Sequence, residues 1–216
     1  MTHELVRIAA DDVHIEGMLE VPADPRGVVL FAHGSGSSRH SPRNNYVARV
    51  LREHGFGTLL LDLLTLTEDL DYQTRFDIAL LTHRLLIATR WVMQHRPPSW
   101  PLPFGYFGAS TGAAAALQAA AALGDEVTAV VSRGGRPDLA GDHDLARVRS
   151  PTLLLVGGLD TEVLELNQHA QAQMHCTKSL VIIPGATHLF EEAGTLEAVA
   201  QQAAGWFRKY LKRVNS

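Results

Sequence analysis

The sequence has little cysteine and no long apolar run, which excludes a disulfide-stabilised fold and a membrane-spanning one. Cys176 is the single cysteine in 216 residues, so no disulfide can form within the chain, which suits a reducing compartment. Runs such as residues 113–117 and 153–156 are far too short to span a bilayer, so we expect no membrane association. The first residues lack a basic segment followed by an apolar stretch, so we expect no signal peptide and a cytoplasmic protein.

Positive charge is also scarce. Lys and Arg number 19 against 23 Asp and Glu, which gives a formal net charge of −4, and no Lys/Arg-rich run occurs. Domains that bind nucleic acid usually show a basic patch or a high pI, so we expect no nucleic-acid partner. The histidines at positions such as His33, His40 and His83 lack the spacing of a metal site, and the sequence predicts neither a metal nor another cofactor.

What the sequence does have is a regular alternation of short apolar runs with longer helical segments. Residues 13–21 alternate as a half-exposed strand does, and residues 4–9 are candidates to pair with them. Nearly unbroken apolar runs follow at 28–32, 58–61, 104–107, 127–131, 152–156 and 180–183. Such runs are typical of strands that helices cover on both faces. The alternation therefore predicts a mostly parallel α/β sheet in one domain over residues 1–216.

Two of the helical segments have clear end signals. One helix should begin at Ser41-Pro42, a cap followed by a first-turn proline. Another should run from about residue 73 to Arg96, where Pro97-Pro98 would end it. Only about twenty residues separate the strand-like runs at 127–131 and 152–156, which is room for a short helix and not for a lid domain.

The sharpest motif is the pentapeptide GASTG at residues 108–112. It follows the strand-like run at 104–107 and opens an Ala-rich helical segment. A serine on such a tight strand-to-helix turn adopts an unusual backbone conformation that lifts its hydroxyl clear of the sheet, and glycines two positions away on either side avoid clashes. In this context the motif predicts that Ser110 is a nucleophile rather than part of a plain glycine-rich turn.

A serine hydroxyl is a weak nucleophile and needs a general base, which His188 can supply. His188 lies just past the last strand-like run, and Asp160 lies just past the run before it. A carboxylate in that place can hold the imidazole in the required tautomer. The chain order Ser110, Asp160, His188 is the order of enzymes built around a nucleophile elbow, so the sequence predicts these three as catalytic residues.

Two alternatives stay open for the acid. Asp138 also follows a strand-like run and is the second candidate. Asp160 could instead cap the helix predicted to follow it, which is a common role for aspartate.

Acyl transfer also requires two donors for the negative oxygen that forms on the reacting carbonyl. The backbone N–H of Thr111, at the start of a helix, is one candidate. The loop HGSGSS at residues 33–38 can turn its amides inward, and the Ser35 N–H is our candidate for the second donor. The alternative for this loop is a flexible connection.

Several arginines follow strand ends, namely Arg39, Arg43, Arg133 and Arg136. An arginine can bind a carboxylate through two parallel hydrogen bonds, so Arg39 and Arg133 are candidates for substrate binding. A solvated side chain or a structural ion pair explains them equally well. Cys176 does not lie in a motif typical of a nucleophile elbow, and we interpret it as a structural residue.

The ordered set of HGSG, GASTG, GGLD and GATH resembles the lidless, dienelactone hydrolase-like branch of the α/β-hydrolases, over roughly residues 13 to 212. The resemblance implies an α/β-hydrolase fold, with a core sheet of about eight strands, helices on both faces and no lid domain. It also implies a serine-centred triad of Ser110, Asp160 and His188, with Ser35 and Thr111 at the oxyanion positions.

The implied activity is hydrolysis of small carboxylic esters or lactones, with such a small molecule as the partner. The dienelactone hydrolases proper have cysteine at the elbow, whereas this chain has Ser110, which points to a generic carboxylesterase. Thioesterase or amidase chemistry with the same residues, and a non-catalytic ligand-binding protein on the same fold, are the alternatives. Neither the natural substrate nor the oligomeric state follows from the sequence.

Two segments, HGSGSSRHSPRN and SRGGRPDL, also resemble a subgroup of small bacterial hydrolases that are sometimes joined to phosphoribosyltransferase domains. We expect no such domain here, because 216 residues leave no room for one.

Overall fold

A computed structural model describes residues 2–95 and 102–212, and its centre is one sheet of eight strands. The strands are β1 (Thr2–Ala10), β2 (Val13–Val21), β3 (Val28–Ala32), β4 (Gly57–Leu61), β5 (Phe104–Ala109), β6 (Val127–Arg133), β7 (Thr152–Gly157) and β8 (Lys178–Ile183). Their order in the sheet is β1-β2-β4-β3-β5-β6-β7-β8. The six strands from β4 to β8 in this order are parallel, whereas β1 and β2 form an antiparallel hairpin at one edge.

Helices cover both faces of the sheet. In the described part of the chain they are α1 (Pro42–Glu53), α2 (Ile78–His95), α3 (Thr111–Leu123), α4 (Asp142–Arg147), α5 (Thr161–Gln173) and α6 (Thr195–Tyr210). This arrangement confirms the predicted mostly parallel sheet with helices on both faces. The described residues form no lid domain over the carboxyl ends of the strands.

The apolar strand runs supply two cores, one on each side of the sheet. Successive side chains of a strand point to opposite faces. Leu30 therefore packs with the cluster under α2 and α3, while its neighbour Phe31 packs with the cluster under α1 and α6. All five residues of β3 are buried, because both faces are covered. This explains why the sequence shows a continuous apolar run here rather than an alternating one.

The two predicted helix starts had different outcomes. The start of α1 is confirmed: the Ser41 Oγ accepts a hydrogen bond from the Asn44 amide (3.3 Å), and Pro42 opens the helix. The start near residue 73 is wrong, because α2 begins at Ile78. The Asp77 carboxylate accepts a hydrogen bond from the Leu80 amide (2.9 Å), one of the N–H groups that the first turn leaves without a partner in the helix. Asp77 therefore caps α2. The predicted stop at Arg96 and Pro97-Pro98 lies outside the described residues.

No helix in the described part of the chain combines the length and apolar character that a bilayer span requires.

The parallel arrangement has one consequence for function. The turns that follow β3, β5, β6, β7 and β8 all leave from the carboxyl edge of the sheet. In open sheets of this type, ligands bind in the crevice outside that edge. Ser110, Asp160 and His188 lie on the turns after β5, β7 and β8.

Replacing Phe31 with alanine should lower the free energy of unfolding by about 3–5 kcal/mol, because it leaves a large cavity in the core under α1 and α6. Phe31 is 1 % exposed, and its ring centroid lies 4.9 Å from that of Phe107. Urea unfolding measures the loss. The control is Leu66→Ala at a side chain that is 92 % exposed, where we expect a change within about 0.5 kcal/mol. Equal losses in both variants would contradict the described packing.

Candidate active site

Ser110 lies on the turn that joins β5 to α3. Its backbone has φ 50° and ψ −122°, a conformation that a residue with a side chain rarely adopts. A hydrogen bond from the Ser110 amide to the Arg133 carbonyl (3.3 Å) and one from the Arg136 amide to the Ser110 carbonyl (3.1 Å) hold it there. The turn is therefore the strained elbow predicted from the pentapeptide GASTG.

Two glycines make this turn sterically possible. A Cβ on Gly108 would lie 2.5 Å from Ala113 Cα, and a Cβ on Gly112 would lie 2.2 Å from the Ala32 carbonyl oxygen. Contacts this short do not occur between real atoms, so only glycine fits at both positions. The close approach also lets α3 pack tightly on the sheet and places its N-terminus beside the loop after β3.

His188 and Asp160 are in direct contact. The His188 Nδ1 lies 2.7 Å from the Asp160 Oδ2, although the two residues are 28 positions apart in the chain. The Asp160 side chain is 15 % exposed, whereas that of His188 is 38 % exposed. A carboxylate on Nδ1 fixes the tautomer in which Nε2 is free to accept a proton.

The backbone of the two loops is what brings this pair together. The Gly158 amide donates to the Ile183 carbonyl (2.9 Å), and the Leu159 amide donates to the Ala186 carbonyl (2.9 Å). A Cβ on Gly157 would lie 2.4 Å from the Ala186 oxygen, so the loops touch along their main chains. The turn after β7 and the loop after β8 thus form one packed unit that carries Asp160 and His188.

The structure discriminates between the readings of the two aspartates. Asp160 is at the cap position of α5, but its side chain makes no capping hydrogen bond and contacts His188 instead. Arg136 donates to both carboxylate oxygens of Asp138, from Nε to Oδ1 (2.9 Å) and to Oδ2 (3.2 Å) and from Nη2 to Oδ2 (2.7 Å). Asp160 is therefore the acid in contact with the histidine.

The segment after β6 lies between the elbow and the histidine. The Arg133 carbonyl accepts a hydrogen bond from the Ser110 amide. The next residue, Gly134, lies against His188, since a Cβ on Gly134 would be 3.1 Å from the His188 carbonyl oxygen and 3.6 Å from its Cε1. Among the described residues, Ser110 Oγ has no hydrogen-bond partner. Catalytic hydrogen bonds are often loose until substrate binds.

The two predicted oxyanion donors flank the elbow. Thr111 is the first residue of α3, and Ser35 belongs to the loop after β3. The neighbouring Gly34 touches the serine, since a Cβ on it would lie 2.9 Å from Ser110 Cβ. In the described part of the chain, neither the Ser35 nor the Thr111 amide donates a backbone hydrogen bond. The role of the two amides as oxyanion donors stays a prediction.

His33 holds the loop after β3 through hydrogen bonds that sequence reasoning did not identify. The Leu63 amide donates to His33 Nε2 (3.0 Å), so the proton is on Nδ1, which donates to the Gly34 carbonyl (2.9 Å). The C=O and N–H of a trans peptide point in opposite directions. The bond to the Gly34 carbonyl therefore orients the Ser35 N–H. His33 is 5 % exposed, and burial lowers its pKa.

Asn167 is a second supporting residue that the sequence did not reveal. It lies on α5, is fully buried, and donates from Nδ2 to the Gly135 carbonyl (3.0 Å), which secures the segment after β6. An asparagine inside an ordinary helix carries no sequence signal for such a role. The HG pair at residues 33–34 was the only available hint for His33.

The arginines predicted near the strand ends have different surroundings. Arg39 is ion-paired with Asp62 and with Glu16 (Nη2–Oε2 2.8 Å), which favours the structural ion pair over substrate binding. Arg43 is paired with Glu191 (Nη1–Oε1 3.0 Å). Arg133 is buried at 8 % exposure and has no ion-pair partner in the described residues.

Cys176 lies just before β8, at the opposite end of that strand from His188. Burial raises the pKa of its thiol, which disfavours the reactive thiolate. Within residues 2–95 and 102–212, no three His, Cys, Asp or Glu side chains are grouped as metal ligands would be.

The structure matches that of a dienelactone hydrolase from Anabaena variabilis with a TM-score of 0.92 and 53 % identity, covering 98 % of this chain and 99 % of that one. A lidless α/β serine hydrolase from Xanthomonas campestris matches with a TM-score of 0.78 and 21 % identity over 100 % of this chain and 98 % of that one. Est1E from Butyrivibrio proteoclasticus matches with 0.80 and 16 %, covering 95 % and 98 %. The last two show the shared fold alone.

Among curated sequences, a Mycobacterium tuberculosis protein with the provisional name phosphoribosyl transferase is 58 % identical over 208 residues. The match covers 96 % of this chain and 46 % of the relative, so the chain spans about half the length of the curated relatives it matches. No protein-family model matches the sequence.

The burial of His33 predicts a loss of stability in mild acid. Its pKa is lowered from the ordinary 6.5, so below that pH the unfolded chain binds a proton that the folded chain does not. The free energy of unfolding should then fall on acidification from pH 7 to pH 5, by at most about 1.4 kcal/mol per pH unit from this residue. Urea unfolding at the two pH values measures the loss.

His33→Gln should reduce this acid-dependent loss, because glutamine can both accept and donate a hydrogen bond but does not titrate. His143→Gln, at an exposed position on α4, should keep the loss of the parent. If the two variants lose the same stability between pH 7 and pH 5, His33 is not buried as a neutral imidazole.

Proposed function

The chain belongs to the dienelactone hydrolase-like α/β-hydrolases, and on that premise we propose that it is a serine hydrolase that cleaves small carboxylic esters or lactones. One observation carries the proposal. The His188–Asp160 contact of 2.7 Å lies across the segment after β6 from a serine held at positive φ. A nucleophile on an elbow, a base and an orienting acid are the three parts that acyl transfer through serine requires.

The first half of the reaction forms an acyl-enzyme. Ser110 Oγ attacks the carbonyl carbon of the ester or lactone, and His188 Nε2 accepts the hydroxyl proton. The carbonyl π electrons move to oxygen, which becomes an oxyanion. When the tetrahedral intermediate collapses, the bond to the leaving oxygen breaks, and His188 returns the proton to that alkoxide.

The second half repeats these steps with water. His188 removes a proton from a water molecule, whose oxygen attacks the acyl carbon and releases the carboxylic acid, while Ser110 regains its proton. Asp160 remains ionised and stabilises the imidazolium that forms in each half.

Negative charge develops on the carbonyl oxygen during the reaction, and we assign the Thr111 and Ser35 amides as its hydrogen-bond donors. Thr111 N–H is at the N-terminus of α3, where the helix dipole favours negative charge. Ser35 N–H is oriented through the His33–Gly34 hydrogen bond. Fixed donors of this kind contribute about 3–4 kcal/mol each to transition-state stabilisation in known hydrolases.

The absence of a lid domain in the described residues favours small substrates that enter from solvent. A serine at the elbow, where the dienelactone hydrolases proper have cysteine, favours general carboxylesterase chemistry over the dienelactone reaction itself.

Replacing Ser110 with alanine should reduce kcat/KM for p-nitrophenyl acetate by about 10⁴-fold or more, because no other group can form the acyl-enzyme. Circular dichroism and thermal unfolding of the variant serve as the control that the fold is intact. A fluorophosphonate probe should label Ser110 in the parent protein. Unchanged turnover in the variant would contradict the proposal. Absence of labelling at Ser110 in the parent would favour a non-catalytic ligand-binding protein.

The two aspartates form a matched pair for the acid. Asp160→Asn should lower kcat by about 10²- to 10⁴-fold, because an amide on His188 Nδ1 favours the wrong tautomer. Asp138→Asn removes the same charge from a residue bound to Arg136, and we expect activity within a few-fold of the parent. Equal losses in the two variants would mean that Asp160 has no special role.

The leaving group separates ester hydrolysis from the alternatives with the same residues. Matched p-nitrophenyl ester, thioester and anilide substrates with one acyl group should give the highest kcat/KM for the ester. A higher value for the thioester or the anilide, after correction for intrinsic reactivity, would assign thioesterase or amidase chemistry instead.

A further inference from the structure

Asn167 is an unusual residue for its place inside α5. It is fully buried, and its Oδ1 has no hydrogen-bond partner among the described residues. Asparagine is a weak helix former, and a buried polar atom without a partner costs folding free energy, so a leucine would suit an ordinary core position better. The asparagine is therefore best explained by what its other polar atom, Nδ2, binds.

The Asn167 Nδ2 group bonds two main-chain carbonyls. It donates to Val163 in its own helix (2.7 Å) and to Gly135 in the turn after β6 (3.0 Å). Carbonyl oxygens only accept hydrogen bonds, so the amide nitrogen, with its two donors, must be the atom that faces them. In the described part of the chain, no other side chain of α5 forms a hydrogen bond to residues 133–136.

The bond to Gly135 fixes a peptide that holds the nucleophile. The Gly135 carbonyl and the Arg136 N–H belong to one planar trans peptide and point in opposite directions. Asn167 holds the carbonyl, and the N–H donates to the Ser110 carbonyl (3.1 Å). Asn167 therefore orients a donor that holds the strained turn at Ser110.

A second peptide carries this orientation to the candidate oxyanion donor. The Ser110 carbonyl and the Thr111 N–H again share one trans peptide. When Arg136 fixes the direction of that carbonyl, it also fixes the direction of the Thr111 N–H. The series runs from the Asn167 amide through two peptides to Thr111, and hydrogen bonds in such a series polarise one another.

The turn after β6 needs such a restraint because it contains two adjacent glycines. Gly134 has φ 49°, and glycine has more conformational freedom than any other residue. A Cβ on Gly135 would lie 2.6 Å from Ala113 Cβ, so no side chain at this position can restrain the turn. The Leu155 carbonyl holds the Gly134 amide (2.8 Å), and Asn167 holds the Gly135 carbonyl.

We propose that Asn167 is a positioning residue that orients the Thr111 N–H toward the oxyanion through these two peptides. This inference rests on the proposed function. The Ser35 N–H is oriented in a similar way, through the bond from His33 to the Gly34 carbonyl. Each of the two oxyanion donors is then set by a buried polar side chain that does not itself touch the substrate.

Two variants test this role. Asn167→Leu removes both hydrogen bonds and keeps a side chain of similar volume. Asn167→Thr keeps a donor for the Val163 carbonyl, since a helical threonine hydroxyl bonds the carbonyl four residues earlier, but it is too short to reach Gly135. Both variants should lower kcat for p-nitrophenyl acetate by about 10- to 100-fold, less than the complete loss of an oxyanion donor, and should change KM little. If Asn167→Leu does not fold, Asn167→Thr carries the test.

Two readouts separate positioning from a general loss of structure. A trifluoromethyl ketone forms a tetrahedral adduct with Ser110 that carries the oxyanion, so its inhibition constant should rise by the factor by which kcat/KM falls. The pH at which kcat/KM is half-maximal should stay that of the parent, because the His188–Asp160 contact is unchanged. An unchanged inhibition constant or a shifted pH profile contradicts an effect through the oxyanion.

The matched control is Ser150→Ala, which also removes a buried hydrogen bond from a side chain to a main-chain carbonyl. The Ser150 Oγ donates to the Val127 carbonyl (2.8 Å) at the amino edge of the sheet, and Ser150 is 2 % exposed. This variant should have a lower melting temperature and the kcat of the parent. Unchanged kcat in the folded Asn167 variants, or an equal loss of kcat in Ser150→Ala, overturns the positioning role.

Hydrogen exchange keeps this inference separate from the proposed reaction. By NMR, the Arg136 amide should exchange at least about tenfold faster in Asn167→Thr than in the parent, while the Val130 amide, bound to the Pro151 carbonyl (2.9 Å), should exchange as before. A protein that hydrolyses no ester but shows this change loses the proposed function and keeps the restraint by Asn167. An Arg136 amide that exchanges at the parent's rate contradicts the restraint, whatever the activity.

Discussion

The arrangement of the site depends on the backbone of Ser110, which is held at φ 50° and ψ −122°. Such a conformation costs about 1–3 kcal/mol and persists only where the surrounding structure over-determines it. Here the hydrogen bonds to Arg133 and Arg136 fix the turn. The glycines at 108 and 112 let α3 approach the sheet so closely that a Cβ on Gly112 would lie 2.2 Å from the Ala32 carbonyl oxygen. The hydroxyl, the Thr111 amide and the start of α3 all take their positions from this one strained residue.

The parallel register then determines what Ser110 meets. Because β5, β6, β7 and β8 are adjacent and point the same way, the turns after them are neighbours at the carboxyl edge. Main-chain hydrogen bonds between the last two turns bring Asp160 within 2.7 Å of His188. The side chains proposed for catalysis are thus carried by short, packed loops, which keeps their geometry well defined.

Charge is handled differently at the site and elsewhere. Arg39 and Arg84 are paired with carboxylates, as a stable fold requires. Within residues 2–95 and 102–212, Arg133 is buried without such a partner.

The sequence by itself determined the strand runs, the elbow and the order Ser110, Asp160, His188, because strand burial and tight turns are local properties that leave a pattern in the residues. The start of α2 was misplaced because Asp77 caps the helix through a local contact that periodicity does not register. Tertiary structure alone decided that Asp160 contacts His188 while Asp138 binds Arg136. It also decided that Arg39 is paired while Arg133, as far as the described residues go, is not. Each of these outcomes depends on which side chains from distant segments come into contact. The sequence could not supply them, because ion pairing and burial are set by those long-range contacts and leave no local pattern in the residues.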